Sequence, residues 1–87
     1  MTRKDNLIEC FKVAMDYVQK YVAVKVELPN DKFEVIVFGR NAFFDKMNYY
    51  DANYNDELEL VRSPEVKIVD FCCANDFESI ELELLGE

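Results

Sequence analysis

Histidine is absent from this chain of 87 residues, and its absence excludes more chemistry than any other feature of the composition. Histidine is the most common general base, the most common metal ligand and the side chain that changes charge near neutral pH. A catalytic or metal site would have to be built from other groups. No motif in the sequence requires a cofactor, and we expect none to be bound.

Cysteine and glycine are scarce as well. The three cysteines are an odd number without C-x-x-C spacing, and Cys72 and Cys73 are neighbours in a predicted strand, so their side chains point to opposite faces. This pattern favours reduced thiols packed as small hydrophobic groups over a disulfide framework. With two glycines, the chain also has no phosphate-binding loop.

Long apolar runs are missing too. No stretch approaches the roughly 18 apolar residues that span a bilayer, and Glu9, Lys12 and Asp16 interrupt the region that follows the positively charged start. We expect a protein without membrane association, located in the cytoplasm of a bacterium or of an infected host cell.

Its length predicts a single domain, residues 1–87. With 51% hydrophobic residues, that domain is expected to fold.

Acidic residues are concentrated in the second half of the chain. Residues 1–50 carry eight basic and seven acidic side chains, a net charge of +1. Residues 51–87 carry two basic and eleven acidic ones, a net charge of −9. This segment projects a strong negative field, which concerns the choice of partner rather than the fold. The overall charge of −8 opposes approach to phosphates, so we expect no direct nucleic-acid binding.

The first forty residues predict a helix followed by a β-hairpin. Apolar residues spaced three and four apart indicate an α-helix over residues 4–21, with Thr2 and Asp5 suited to a capping box and Asp5 or Asn6 as alternative N-caps. From Val22 the apolar period becomes two, which is typical of half-buried strands. The turn chemistry of residues 29–32 separates two such runs, so they predict an antiparallel hairpin.

The rest of the chain predicts a second helix and three short strands. Asn41 is a suitable N-cap for a helix that ends near Tyr50, and residues 51–56 have lost the helical period. Alternating runs then cover residues 57–60, 66–73 and 80–84, with breaks at Ser63-Pro64 and at 74–76. The order αββαβββ predicts an α+β two-layer sandwich. Its antiparallel sheet would have about five strands, with the N-terminal helix and the short second helix on one face.

An acidic sheet surface is the main candidate binding site. Alternate residues of a strand are about 6.6–6.8 Å apart, so glutamates on outward positions form a spaced row of carboxylates that approximates a phosphate ladder. A solvated sheet face of ordinary composition is the alternative interpretation. The predicted partner-binding residues are Glu57, Glu59, Glu81 and Glu83, with Asp51, Asp56, Asp76 and Tyr54 in secondary positions.

Two further constellations are weaker. Asp51-x-Asn53-x-Asn55 matches the first ligands of a calcium loop, but Asp56 stands where the sharp-turn glycine belongs, and Arg62 replaces the bidentate glutamate. We therefore predict no metal site. A carboxylate-based hydrolase would need an acid in a cleft, whereas these acids are expected on an open face. We predict that the chain is not an enzyme.

In size, acidity and lack of a catalytic set, the chain is similar to small phage-encoded inhibitors, including DNA-mimic and anti-CRISPR proteins. The similarity is one of composition and transfers no individual residue. It implies a non-enzymatic inhibitor that occupies a basic, nucleic-acid-binding groove of a larger partner, an enzyme or a complex. Two alternatives remain open at this point: an antitoxin or immunity protein that neutralises a basic enzyme, and a homodimer formed through Ile36 and Phe38.

Overall fold

An antiparallel sheet of four strands lies at the centre of the computed structural model, which describes residues 2–85. The strand order is β2 (Lys32–Gly39), β1 (Tyr21–Leu28), β4 (Ser63–Ala74) and β3 (Glu59–Leu60), so that β1 and β4 are central while β2 and the short β3 form the edges. No helix among residues 2–85 is long and apolar enough to cross a membrane. In chain order the elements are α1 (Arg3–Asp16), β1 (Tyr21–Leu28), β2 (Lys32–Gly39), a 3₁₀ turn (Arg40–Ala42), α2 (Phe43–Asn53), β3 (Glu59–Leu60), β4 (Ser63–Ala74) and α3 (Phe77–Leu85).

Helix α1 begins with the predicted capping box and ends earlier than predicted. The Thr2 hydroxyl accepts the Asp5 N–H at 3.1 Å, and the Asp5 carboxylate accepts the Thr2 N–H at 3.2 Å. At the other end Val18 adopts a left-handed φ of 57°, and the Gln19 N–H donates to the Ala14 carbonyl at 2.9 Å. This bond is typical of a Schellman motif, which stops a helix. The predicted extension to residue 21 is therefore wrong.

The predicted hairpin is confirmed, with β1 and β2 paired so that Val24 lies opposite Ile36. Its turn places Asn30 and Asp31 at positive φ, a conformation that these two residue types tolerate best after glycine. β1 also pairs with β4, where the register shifts and leaves Val69 as a bulged residue.

The α+β two-layer arrangement is confirmed, because α1 and α2 pack on the same face of the sheet. Phe11 is fully buried at the centre of this core, and its ring lies 6.0–6.2 Å from the rings of Phe38, Phe43 and Tyr50. The aromatic cluster joins both helices to β2. Such rings contribute much of the apolar area that a domain of this size buries.

The strand predicted at residues 80–84 is wrong, and the sheet has four strands rather than about five. These residues belong to α3, whose N-terminus is capped by Asp76, which accepts the Ser79 N–H at 2.7 Å. Ile80 and Leu84, four residues apart, are buried, whereas Leu82 between them is 63% exposed. The helical period therefore decides which side chains are buried. α3 packs against Ala23 and Ala74, on the sheet face opposite α1 and α2.

Two other boundaries in the second half differ from the prediction. Asn41 lies within the 3₁₀ turn instead of capping a helix, and α2 begins at Phe43 and continues through Asn53 into the predicted loop. The break expected at Ser63-Pro64 also falls earlier, since β4 already begins at Ser63. Proline is tolerated at such a position near the beginning of a strand.

Basic side chains from distant segments bind the carbonyl groups at both C-termini of the core helices. Arg40 donates to the carbonyls of Ala14 and Gln19 at 3.0 and 2.9 Å and to that of Met15 at 3.3 Å. Lys4 donates to two carbonyls at the end of α2, each at 3.0 Å. Neither helix has a basic residue of its own in its last turn, so these remote cations interact with the negative ends of the helix dipoles.

Replacing Arg40 is expected to destabilise the domain. Arg40→Met keeps an aliphatic stem but removes the guanidinium donors to the α1 terminus, and we expect a loss of about 1–3 kcal/mol in the free energy of unfolding. Urea denaturation followed by circular dichroism measures this change. Lys12→Met, at an exposed position of α1, is the matched control and should change stability by less than about 0.5 kcal/mol. Equal effects of both substitutions would contradict the capping role.

Glycine at position 18 is expected to stabilise the domain. Val18 is a β-branched residue held at a left-handed φ of 57°, a conformation that costs L-residues about 1–2 kcal/mol and glycine almost nothing. Glycine also increases the conformational entropy of the unfolded chain, which offsets part of this gain. We therefore expect Val18→Gly to raise the free energy of unfolding, measured by urea denaturation, by about 0.5–1 kcal/mol. Val61→Gly is the control, since Val61 is similarly exposed and has no positive φ. A loss of stability in Val18→Gly would refute this account of strain.

Candidate functional site

The four glutamates predicted to form one row do not share a strand face. Glu57 is exposed in the turn before β3 and Glu59 lies in β3, whereas Glu81 and Glu83 project from α3. The predicted carboxylate ladder on the sheet is therefore wrong. The prediction depended on residues 80–84 forming a strand, in which alternate side chains share a face. In the helix that these residues form, alternate side chains point in different directions.

Asn55, in the loop that precedes β3, holds Glu59 at the start of that strand. The Asn55 side-chain oxygen accepts the N–H groups of Glu57 and Glu59 at 2.9 and 3.0 Å. Its Nδ2 donates to the Glu59 carboxylate at 3.1 Å. The half-buried Glu59 side chain thus shapes the loop, together with Leu58, which is fully buried at a positive φ. Of this predicted pair, Glu57 is the one left exposed to solvent.

The calcium-loop residues do not converge on a common point. Asp51 is exposed and its carboxylate lies 3.8 Å from the Lys4 ammonium. The Asn53 amide donates back to the Tyr49 carbonyl at 2.9 Å, and the oxygen of Asn55 is already occupied within its loop. Among residues 2–85, no group of three potential His, Cys, Asp or Glu ligands lies close enough to hold a metal ion.

The outer side of α3 brings acidic and apolar side chains together. Glu78, Glu81 and Leu82 are spaced three and four residues apart, so they lie on one face of the helix, opposite the buried Ile80. Leu82 is 63% exposed. Phe77, 56% exposed, and Glu83 are also exposed but lie outside this face, because Phe77 precedes Leu82 by five positions and Glu83 follows Glu81 by two. We refer to Phe77, Glu78, Glu81, Leu82 and Glu83 as the α3 surface.

All charged side chains of α3 itself are acidic. After Lys67 the sequence contains no basic residue. Burial raises the pKa of the Cys72 thiol to about 11, and the nearby carboxylates of Glu83 and Asp70 contribute to that shift. At the helix start, the N–H of Ser79 lowers the pKa of Asp76, which therefore remains ionised. The hydrogen bond by which Asp76 caps α3 is therefore sufficient to explain its lowered pKa, and no basic partner is needed.

The sheet face beside α3 is close to electrically neutral. Lys67 and Glu27 form an ion pair at 3.3 Å, and Lys25 lies opposite Asp70 across β1 and β4. Acidic and basic residues therefore alternate on this face. The negative excess of the second half of the chain is displayed on α3 and on the exposed loops instead.

An apolar strip extends from α3 to the free edge of the sheet. The ring of Phe77 stacks on that of Tyr21 at 4.8 Å between centroids. On the edge strand β2, Phe33 is 52% exposed and Val37 is also exposed, while Val35 between them packs against the α3 cluster. Residues 33, 35 and 37 alternate, so all three lie on the α3 side of the sheet.

Tyr54 was predicted as an exposed anchor, but only 6% of it is exposed. Its ring packs at 5.2 Å from that of Tyr50, within the main core. Phe77, the first residue of α3, has the accessible aromatic ring beside the acidic helix, and it is not among the predicted binding residues. A signal for it was present, because Phe77 directly follows the capping residue Asp76 and precedes Ile80 by three positions.

The buried thiols offer no activated nucleophile. All three cysteines are free and half-buried. Burial raises the pKa of Cys10 to about 12, and the neighbouring Cys73 adds to this effect. Cys10 is therefore a thiol rather than a thiolate at neutral pH, and only the thiolate is a strong nucleophile.

Comparisons with known proteins give no match: no family model, no curated protein and no solved structure corresponds to this chain.

The raised pKa of Cys10 predicts a loss of stability in alkaline solution. Its folded-state pKa of about 12 lies above its ordinary value of 9.0. The contribution of the neutral Cys10 thiol to the free energy of unfolding is therefore complete below pH 9, and it is lost as the pH rises from 9 towards 12. We expect the unfolding free energy of the native chain to fall more steeply between pH 9 and 11 than that of Cys10→Ala. Urea denaturation at several pH values measures both slopes, and identical slopes would contradict the assignment.

Proposed function

We propose that this chain is a non-enzymatic protein-binding domain and that the α3 surface docks on a basic surface of a larger protein. A groove that normally binds nucleic acid is the complementary surface that we expect, so occupation of the groove would inhibit the partner. The proposed setting is the cytoplasm of a bacterium or of an infected host cell.

The observation that carries this proposal is the combination of charge and exposed apolar area on one short helix. Glutamates at positions 78, 81 and 83 steer a basic partner and favour correct orientation. Phe77 and Leu82, both more than half exposed, supply the apolar contact that charge alone does not provide. Protein interfaces typically combine such anchors with a charged rim.

The distribution of the basic residues strengthens the negative field outside the domain. Arg40, Lys4 and Arg3 direct their donors to backbone carbonyls, Arg3 to those of Ile68 and Val69 at 3.1 Å each. Their charges lie beside helix ends and the β4 bulge rather than beside the glutamates of α3. The carboxylates of the α3 surface therefore have little local compensation.

An antitoxin or immunity protein would use the same contact chemistry. That alternative predicts a cognate basic enzyme encoded by a neighbouring gene and a very slow dissociation rate. Surface plasmon resonance with the purified partner distinguishes an antitoxin or immunity protein from a groove-occupying inhibitor by the residence time of the complex. Only permanent neutralisation requires dissociation over hours.

A homodimer is the second candidate, although not through the residues first considered. Phe38 is buried and Ile36 packs against the same core, so these two side chains are unavailable to a second copy. The free edge of β2 favours self-association instead. Antiparallel pairing about Val35 would place Phe33 opposite Val37 of the partner subunit. Sedimentation of the chain alone at several salt concentrations detects such a dimer, which added salt should not weaken.

Charge reversal on α3 tests the proposed function. The triple variant Glu78→Lys, Glu81→Lys and Glu83→Lys should bind a partner captured from a bacterial lysate at least about tenfold more weakly than the native chain. The captured partner is identified, purified and titrated at low and high salt. Native binding should weaken with salt. Displacement of a labelled oligonucleotide from the partner, followed by fluorescence anisotropy, measures whether the chain occupies a nucleic-acid-binding groove.

A matched control changes the same net charge elsewhere. Glu9→Lys, Asp16→Lys and Glu65→Lys alter three exposed acids outside α3 and should leave affinity nearly unchanged. Circular dichroism checks that both triple variants are folded. Equal losses in the two variants would show that net charge, rather than the α3 surface, determines binding. Unchanged affinity in the α3 variant would refute the proposal.

A further inference from the structure

A cavity of about 290 Å³ lies between α2 and the sheet, on the side of the molecule away from α3. Its apolar walls come from all three long strands and include Val26, Leu28 and Ile36. Three tyrosines and one lysine from α2 and the residues after it complete the lining, and Glu34 contributes from β2. The volume has room for roughly ten water molecules. It lies just below the range of about 300–1,000 Å³ that is usual for drug-sized ligands.

Two tyrosine hydroxyls in this cavity have no protein partner. Tyr50 is 3% and Tyr54 is 6% exposed, yet neither hydroxyl makes a hydrogen bond within residues 2–85. No fully buried side-chain oxygen in that range lacks a partner, so the small exposed part of each residue includes its hydroxyl. The cavity thus offers two hydroxyl groups to whatever occupies it.

Both hydroxyls remain uncharged and able to donate. Burial raises the pKa of Tyr50 and of Tyr54 above the ordinary value of 10, and the nearby tyrosines add to the effect. A neutral phenol donates one hydrogen bond and accepts others. A carboxylate is a strong acceptor for such donors, since hydrogen bonds to charged groups are about twice as strong as neutral ones.

One cation and one carboxylate line the same cavity. The Lys46 ammonium lies 5.4 Å from the ring centre of Phe38 and 5.5 Å from that of Tyr49. Within residues 2–85 it forms no ion pair shorter than 4.0 Å, with Glu34 or with any other acid. Both charges are therefore available to a ligand that carries the opposite groups.

The charge of the whole chain restricts the ligand further. A net charge of −8 disfavours a simple anion, while Lys46 disfavours a simple cation in the cavity. A zwitterion avoids both penalties. We propose that this cavity binds a free α-amino acid with an apolar side chain. Its side chain lies against Val26, Leu28 and Ile36, its carboxylate accepts from Lys46 and the tyrosine hydroxyls, and its ammonium group faces Glu34.

Three related probes test this assignment: L-phenylalanine, 3-phenylpropionate and phenethylamine. The second lacks the ammonium group of the first, and the third lacks its carboxylate. Titration of the full chain, followed by ¹H–¹⁵N NMR, should show saturable shifts at residues of β2 and α2 with L-phenylalanine. Each analogue should bind at least about tenfold more weakly, which corresponds to about 1.4 kcal/mol.

Substitutions in the cavity give a second readout. Lys46→Met and Tyr54→Phe should each weaken L-phenylalanine binding at least about fivefold, while Lys12→Met on α1 should have no effect. NMR spectra of the free variants establish that they are folded. Absence of saturable shifts with millimolar L-phenylalanine would overturn the proposal. Equal affinity for all three probes would also overturn it, because the cavity would then select apolar surface alone. The α3 charge-reversal variant should bind the amino acid normally, so this test is independent of the proposed function.

Discussion

The binding of remote cations to helix carbonyl groups is the interaction on which the rest of this structure depends. α1 and α2 both end without a basic residue in the last turn, and the carbonyls exposed there need donors. Arg40, which directly follows β2, supplies them to α1, while Lys4 near the start of α1 supplies them to α2. These bonds join the two helices to each other and to the sheet edge.

This arrangement also determines which charges are displayed to a partner. The basic half of the chain uses Arg3, Lys4 and Arg40 to satisfy the backbone of its own fold. Four carboxylates of the acidic half have partners within the fold: Asp76 caps α3, Glu59 is held by Asn55, Asp51 lies beside Lys4, and Asp70 accepts the Phe71 N–H. Arg3, Lys4 and Arg40 are thus held beside backbone carbonyls at the ends of helices and at the β4 bulge, away from the glutamates of α3.

The parts of the fold that follow from local periodicity could be predicted from the sequence. α1, its capping box and the hairpin have a single consistent period, and the structure confirms them. Residues 80–84 satisfy two periods at once: Ile80, Leu82 and Leu84 alternate, yet Ile80 and Leu84 are also one helical turn apart. The cap at Asp76 and the high helix propensity of leucine and glutamate decide in favour of the helix.

The candidate site was predictable in composition but not in geometry. Glu81 and Glu83 are exposed, but on a helix, and no local pattern shows that Asn55 holds Glu59. Tyr54 directly follows α2, and its ring packs against that of Tyr50 in the main core. The contacts of Arg40 join residues more than twenty positions apart, and the cavity between α2 and the sheet is formed by three strands at once. Such features depend on tertiary packing, which a single sequence does not specify.

The open edge of β2 has a consequence for the behaviour of concentrated solutions. An eight-residue edge strand with exposed apolar side chains is a template for indefinite strand addition, and Lys32 and Glu34 are the charged residues that interrupt it. Mutual repulsion between molecules of charge −8 keeps such edges apart. Acidification towards the isoelectric point of about 4.4 removes that repulsion. The acidic residues of the second half of the chain therefore also oppose aggregation through the exposed strand β2 of the first half.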